Sequence, residues 1–326
     1  MLTKVVDDIY LVKVRFPFGI REVNCYLFKG ERGYTLVDTG SEAEESIQLW
    51  TDILSSGIVI EKIVLTHVHP DHVGLARWFQ ENHQLPVHLS TIGNEELKMI
   101  QNDHIKEEDL ENIVFENGAP SIPTEMLSLD PTPYYFTPDV LFEIGEFIQL
   151  GDDEYEVIWT PGHSTDHMCF YQREKQILVV GDHVLKDISP IIYFSLSNKE
   201  VDSMKHYFES LDLIRNYPTK LCLPGHGEVF SNLTERVDEL KKGHEHRLEQ
   251  MLNCLKSDWK TAAEVCAEIY QPKKKAHFFS PFISTIARFK YLVSEGMVDY
   301  STENGIRYYR AKSECNIKKV EVSTTD

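Results

Sequence analysis

The sequence contains no run of roughly eighteen apolar residues, the length a membrane-crossing helix requires, so no membrane partner is expected. Its first residues, MLTKVVDDIYLVKV, place Asp7 and Asp8 where a signal peptide needs an apolar core, and export is not expected. Six cysteines at 25, 169, 222, 254, 266 and 315 form no C-x-x-C pair and keep no regular spacing. In a chain of this size they read as reduced, mostly buried thiols of a cytoplasmic protein. There is no G-x-S-x-G elbow and no evident Cys–His pair, so no protein nucleophile announces itself. Positive charge is also scarce: 33 Lys and Arg face 52 Asp and Glu, a formal net charge of −19. The deficit is uneven. Residues 256–312 carry +4 and 313–326 carry −1, which leaves −22 on residues 1–255. A body this acidic repels phosphate backbones at long range. That counts against nucleic acid as the main substrate without excluding it, since metals and a local basic groove outweigh a global field. A small-molecule substrate is expected; the sequence does not fix the oligomeric state.

What is present is organised in two parts. Strand-like runs rich in aromatic and β-branched residues occupy Asp8–Val14, Asn24–Phe28 and Tyr34–Val37, with a hairpin turn at Lys29–Gly33. The LVDTG segment ends a strand, and Ser41 is placed to cap a helix from Glu42 to Leu54. A second β–loop–α unit follows: strand Lys62–Leu65, loop THVHPDH, helix from Val73. Residues 91–142 break the rhythm, with an acidic helical stretch at 94–116 and five prolines between 118 and 138 beside Tyr134-Tyr135-Phe136. Long irregular segments inside compact domains are commonly lids or binding loops. Strands resume at 147–150, 154–160, 168–172 and 177–180, followed by a helix at 201–216 and a strand at 221–223. From 234 the pattern becomes helix, helix, helix and a hairpin around Asn304-Gly305, which suggests a winged-helix module. The expected domains are 1–233, with an insert or lid at 91–142, then 234–312, then a frayed tail at 313–326.

The chemistry concentrates in four short segments. Thr66-His67-Val68-His69-Pro70-Asp71-His72 places three imidazoles and a carboxylate in six residues, the ligand types that borderline divalent ions take. In extended backbone His67 and His69 point the same way and reach one ion. Beyond the turn at Pro70, Asp71 and His72 are aimed elsewhere and can hold a second. Three further segments each end a strand with a ligand-type residue beside glycine: Thr160-Pro161-Gly162-His163, Val180-Gly181-Asp182, and Pro224-Gly225-His226-Gly227. Glycine lets backbone approach a site closely, and strand ends converge on one rim of a sheet.

In this order, HxHxDH, GHS, GDH and PGHG, preceded by VDTG, resemble the metallo-β-lactamase-fold superfamily over residues 5–230. The resemblance implies an α/β fold, an αββα sandwich with the metals at one edge. It implies that His67, His69 and His163 hold the first ion, that Asp71, His72 and His226 hold the second, and that Asp182 bridges both. Asp38 matches the aspartate of VDTG, a supporting carboxylate rather than a ligand, and His167 matches a histidine that supports the ligands. A small C-terminal winged helix is similar to the subgroup typified by lactamase-β-like protein 2. Zn²⁺ is the first candidate for both ions, and the same ligand set accepts Fe or Mn.

Two divalent ions sharing a water lower its pKa from about 15.7 to near 7, so the expected reaction is attack by a metal-bridging hydroxide on a small ester, thioester or lactone. Asp71 is expected to accept a hydrogen bond from that hydroxide and relay its proton. A closed structural site takes about four ligands; seven for two ions leave positions open for chemistry. Substrate selectivity is assigned to the 91–142 insert, through Phe115, Met126, Tyr134, Tyr135 and Phe136. The alternatives are a single-strand ribonuclease of the same fold and a DNA-binding regulator whose metal domain is a sensor. For the latter, Lys273, Lys274, Lys275, Arg288, Lys290, Arg307 and Arg310 could contact phosphates. Phe289, Tyr291 and Leu292 crowd the helix that would read bases, which favours a packing role for this module.

Overall fold

The computed structural model describes residues 2–15, 22–102, 107–120, 131–194, 198–271 and 278–313. Its strands and helices in chain order are β1 (Leu2–Val6), β2 (Ile9–Arg15), β3 (Glu22–Lys29), β4 (Tyr34–Val37), α1 (Glu44–Ser55), β5 (Ile60–Val64), α2 (Pro70–Val73), α3 (Ala76–His83), β6 (Val87–Ser90), α4 (Thr91–Gln101), α5 (Glu107–Glu116), β7 (Val140–Phe142), β8 (Phe147–Leu150), β9 (Asp153–Trp159), β10 (Met168–Gln172), β11 (Ile177–Gly181), α6 (Ser203–Ile214), β12 (Leu221–Pro224), α7 (Leu233–Cys254), α8 (Ala262–Tyr270), α9 (Phe279–Ser294), β13 (Val298–Glu303) and β14 (Ile306–Ala311). They fall into two compact units. The first comprises Met1–His104, Asp130–Pro190 and Glu209–Arg236; the second comprises Ile105–Leu129, Ile191–Phe208 and Val237–Asp326.

The first unit is a mixed α/β sandwich. One sheet runs β1 to β7 in sequence order, and the other runs β12-β11-β10-β9-β8. Period-two alternation decides which side chain faces which layer. On β2 and β3, Ile9, Leu11, Tyr26 and Phe28 face the second sheet and meet Tyr155, Val157, Met168, Phe170 and Val179. Their neighbours Val12, Val14, Val23, Cys25 and Leu27 face the opposite way, onto a helical layer anchored by Trp50, Phe79 and Leu97. Both faces are therefore apolar, and the strands read as near-continuous hydrophobic runs.

Strand direction places the site. In the first sheet β4 and β5 are parallel. In the second, β11 and β12 are parallel, and β10 is antiparallel to both β9 and β11, so β9 runs with them. The loops after β4, β5, β9, β11 and β12 carry every motif singled out in the sequence. All five leave the C-terminal ends of strands.

Some expectations change. Ser41 does not cap α1: the N-cap is Ala43, without a side-chain bond, because the Ser41 hydroxyl donates to the Arg15 carbonyl at 2.8 Å instead. The acidic stretch is two helices, α4 and α5. Edge strands β1 and β7, half-exposed and weakly patterned, were not legible.

The second unit has its own core. Val265, Phe282, Ile286, Phe289 and Leu292 of α8 and α9 pack with Leu248, Met251 and Leu255 and with Ile113 and Val114 of α5. The Phe289 ring stacks on Tyr309 of β14 with centroids 3.9 Å apart, so the expected crowding of this helix by apolar side chains is observed. Arg288 is buried rather than offered to solvent, so it does not present itself to a nucleic-acid backbone. Arg307 lies over the Tyr300 ring. Lys273, Lys274 and Lys275 lie outside the described residues.

Candidate metal centre

The loop after β5 turns at Pro70, the first residue of α2, which separates His67 and His69 from Asp71 and His72. His67 Nε2 lies 3.0 Å from His69 Nδ1, and His163 Nε2 lies 3.0 Å from the same nitrogen. These three form one cluster able to hold an ion; Asp71, His72 and His226 form another; His67, His72 and Asp182 form a third between them. Asp182 Oδ2 is 3.5 Å from both His163 Nε2 and His72 Nε2, and 3.2 Å from His226 Nε2. The carboxylate thus faces both groups at once. All seven residues that the sequence proposed as ligands converge.

Supporting hydrogen bonds fix which imidazole nitrogen faces inward. His226 Nδ1 lies 2.6 Å from the Glu22 carbonyl, which only accepts, so Nδ1 carries the proton and Nε2 presents a lone pair. Asp38 Oδ2 does the same for His72 through Nδ1 at 2.8 Å. Asp38 also accepts from the Thr66 backbone N–H and hydroxyl, both at 2.9 Å. With its hydrogen given to Asp38, Thr66 Oγ1 accepts from His67 Nδ1 at 2.9 Å, which puts the His67 lone pair on Nε2, the nitrogen facing His69. Carboxylates behind histidine ligands serve this orienting purpose in metal sites. Asp38 does so from a left-handed backbone, φ 59°. His167 is placed as a supporting residue too. Its Nε2 accepts the Asp182 backbone N–H at 3.0 Å and its Nδ1 meets Thr160 Oγ1 at 2.8 Å. It lies at the end of the loop joining β9 to β10, immediately before Met168.

Further residues were missed in the sequence. Asn24 Nδ2 donates to the Pro224 and Gly227 carbonyls, both at 2.9 Å, and the Tyr26 hydroxyl donates to Pro224 O at 2.8 Å, which pins the His226 loop. Buried Asp166 accepts the Val68 N–H at 2.8 Å and the Ser164 hydroxyl. Asp166 follows the GHS motif closely, whereas Asn24 and Tyr26 lie far from every motif in the chain, and only a polar residue in an apolar context could have signalled them.

The electrostatics are asymmetric. His67 is kept neutral by burial first, then by His72, His69, His167 and His163. Burial and His163 push His69 down to about 3. Burial opposes charge on His72 as well, but Asp182, Asp71 and Asp38 outweigh it and raise that histidine well above its ordinary value. His226 rises to about 10 against burial, chiefly through Asp182. For Asp71 burial acts upward, yet His72 and His226 hold it down at about 2. Three carboxylates here require positive charge, which protons on the two histidines supply when no cation does.

The donor set fits divalent ions. Among the described residues, buried His72 Nε2 and Asp182 Oδ1 find no hydrogen-bond partner, a costly arrangement that a cation relieves. Ligands must be deprotonated to bind, so metal addition to chelated protein at pH 7 should release about one proton or more per chain. Because the folded pKa of His226 lies above 6.5, apparent metal affinity should climb as pH rises from 6.5 toward 10. Calorimetry in buffers of different ionisation enthalpy measures the release. A value of zero would contradict this picture.

The proposed substrate wall divides. Tyr134 and Phe136 are buried in the first unit's core, held there by Gln101 Nε2 donating to both their carbonyls at 2.6 and 2.9 Å. They are core anchors where an open wall was expected. Tyr134 still feels Asp71, which with burial raises its phenol pKa. Tyr135 between them is 48% exposed. Phe115 is 55% exposed and belongs to the second unit, where its ring edge stands over Gly305. Met126 lies outside the described residues.

A profile of the Metallo-beta-lactamase superfamily matches residues 18–226, which span every ligand position. The chain belongs to this superfamily. It is similar to a probable metallo-hydrolase of Bacillus subtilis, 23% identical over 317 residues, covering 93% of this chain and 98% of that protein. A beta-lactamase-like protein 2 homolog of Caenorhabditis elegans is 24% identical over 319 residues, covering 94% and 90%. The crystal structure of a metallo-beta-lactamase family protein from Thermus thermophilus superposes with a TM-score of 0.81 at 26% identity, covering 95% of this chain and 100% of that one. Fungal relatives include a protein of Aspergillus novofumigatus named atrochrysone carboxyl ACP thioesterase, 22% identical over 243 residues, 73% of this chain and 59% of that protein. As a member of the metallo-beta-lactamase superfamily, the chain is a metal-dependent hydrolase.

Proposed function

We propose that this hydrolase holds two ions, Zn²⁺ foremost, and cleaves a small ester, thioester or lactone with an apolar acyl group. The observation that carries this reading is the placement of Asp182 Oδ2, 3.5 Å from a nitrogen of one histidine group and 3.2–3.5 Å from nitrogens of the other. Ions bound here would supply an acidified water and a Lewis-acidic surface for the substrate carbonyl. The protein's own groups do the rest. Asp71 is ionised at neutral pH and is 3.2 Å from His226 Nε2 through Oδ2, so it is placed to take a proton from the attacking water. Asp38 and Glu22 keep His72 and His226 oriented while charge develops. The acyl choice fits the thioesterase name among the relatives and the exposed Tyr135 ring beside anchored Tyr134.

The C-terminal elements α7, α8 and α9 with the β13–β14 hairpin are read as a winged-helix module with a packing role, supported by the burial of Phe289 and Leu292. The buried cysteines suit a reducing compartment.

Elemental analysis should give close to two ions per chain, and chelation should abolish turnover that metal restores. A panel of esters, thioesters, lactones and short RNAs then decides the substrate. Preference for RNA, or full activity with one ion, would overturn the proposal. Tyr135→Ala should raise KM for apolar esters by about three- to tenfold, from lost area burial at roughly 25 cal/mol per Å², with metal content unchanged. An equal KM for apolar and polar esters in wild type and variant would remove Tyr135 from the wall.

A further inference from the structure

Arg288 lies in the part of α9, Phe282 to Phe289, that is buried on every side, and it is only 7% exposed. Its side chain folds back one turn, where Nη1 donates to the Ser284 carbonyl at 3.0 Å. Nη2 stands 3.3 Å from His244 Nδ1 on α7. Nε is buried and has no hydrogen-bond partner among the described residues. One turn further along α7 from His244, on the same face, Arg247 holds its guanidinium 4.6 Å from the centroid of the Tyr270 ring. Its Nη1 bonds the neutral Gln250 Oε1 at 2.7 Å. Among the described residues, no carboxylate pairs with either guanidinium group. In a chain with 52 acidic residues, one buried and one half-buried cation stand here without a counter-charge among the described residues.

We propose that His244, Arg247, Tyr270 and Arg288 form an anion site in the second unit that takes a phosphate group. Burying a guanidinium with an unfilled donor is unfavourable unless an anion completes it. The planar fork of arginine matches the oxygens of phosphate in a bidentate way. Two guanidinium groups beside a phenol suit a doubly charged tetrahedral oxyanion better than a single carboxylate. His244 fits the same design: burial, then Arg288 and Arg247, keep its pKa down at about 3, so it adds a neutral ring rather than a third charge. Arg247 is half-buried and forms the open side. The excess of +4 on residues 256–312 supports the same polarity.

The test uses the full-length, metal-replete protein and reads the ring nitrogen resonances of His244, which report this site and not the metal centre. Inorganic phosphate at constant ionic strength should shift them saturably, whereas chloride should not. A simple alkyl phosphate monoester forms the second arm: a response at lower concentration than inorganic phosphate identifies the phosphate as part of a larger ligand, and an equal or weaker response identifies free phosphate. Arg247→Gln should raise the phosphate concentration needed by about tenfold, the equivalent of one charge-assisted contact. Arg288→Lys should weaken binding further; if that variant does not fold, Arg247→Gln decides. No saturable shift in the wild type, an equal response to chloride, or identical titrations of wild type and Arg247→Gln would each overturn the proposal.

Discussion

Asp182→Asn is expected to lower kcat/KM by about 10²–10⁴-fold and to bring the metal content well below two ions per chain. The size follows from the surroundings of this side chain. Asp182 is buried, and although burial acts to raise its pKa, His72 and His226 hold it well below the ordinary carboxylate range. One of its oxygens faces nitrogens of three histidines, and the other has no hydrogen bond among the described residues. Asparagine keeps the volume but removes the charge and puts an NH₂ group toward the cations. Breaking a buried charge pairing costs about 3–5 kcal/mol, and each 1.36 kcal/mol is tenfold in rate, which gives the stated range. Metal content by elemental analysis and kinetics on the same sample check it. A variant with normal turnover and two ions would mean that Asp182 does not join the two groups.

The convergence of the candidate ligands was legible because they lie within a few residues of strand ends, in segments whose chemistry has no ordinary structural use. Four ligand-type side chains in six residues, as at His67–His72, do not arise from packing needs. Strand periodicity was legible for the same local reason, since β2 and β3 alternate faces within seven or eight residues. What failed depended on partners distant in the chain. Ser41 has a capping residue's chemistry, but the Arg15 carbonyl, 26 positions earlier, claims its hydroxyl. Tyr134 and Phe136 look like a free aromatic cluster until Gln101 is seen tying their carbonyls to α4. Helix α5 gives no local sign that Ile113 and Val114 join a core built mainly from residues beyond 248. Asn24 and Asp166 look like ordinary polar residues of strand and loop, and their bonds to Pro224 and Val68 appear only when the two sheets are stacked.

Gly225→Ala is expected to be a severe change with a specific signature. Gly225 sits between β12 and His226; its N–H donates to the Gly181 carbonyl at 2.8 Å and its carbonyl accepts from Asn24 N–H at 2.7 Å, so the backbone cannot swing away without breaking both. A Cβ at this position would overlap Asp182 Oδ1 outright and stand 2.9 Å from His72 Cε1. His72 is fixed by Asp38, so Asp182 has to give way. Overpacking of this kind costs about 1–3 kcal/mol in stability, and a displacement on the order of 1 Å at a reacting centre can cost roughly 10²-fold in rate. Gly227, two residues on, provides the contrast. A Cβ there meets nothing among the described residues within 4 Å, but its φ of +78° is left-handed, a conformation costing a non-glycine residue about 1–3 kcal/mol. Gly227→Ala should therefore lower the melting temperature while both ions and most activity remain. Gly225→Ala should lose metal and about two orders of magnitude in kcat/KM. Melting curves, elemental analysis and kinetics on the pair separate strain from steric invasion of the site. If Gly225→Ala kept two ions and turned over within about threefold of wild type, less than 1 kcal/mol by the same conversion, Asp182 would have room to move and could not be the rigid junction described above.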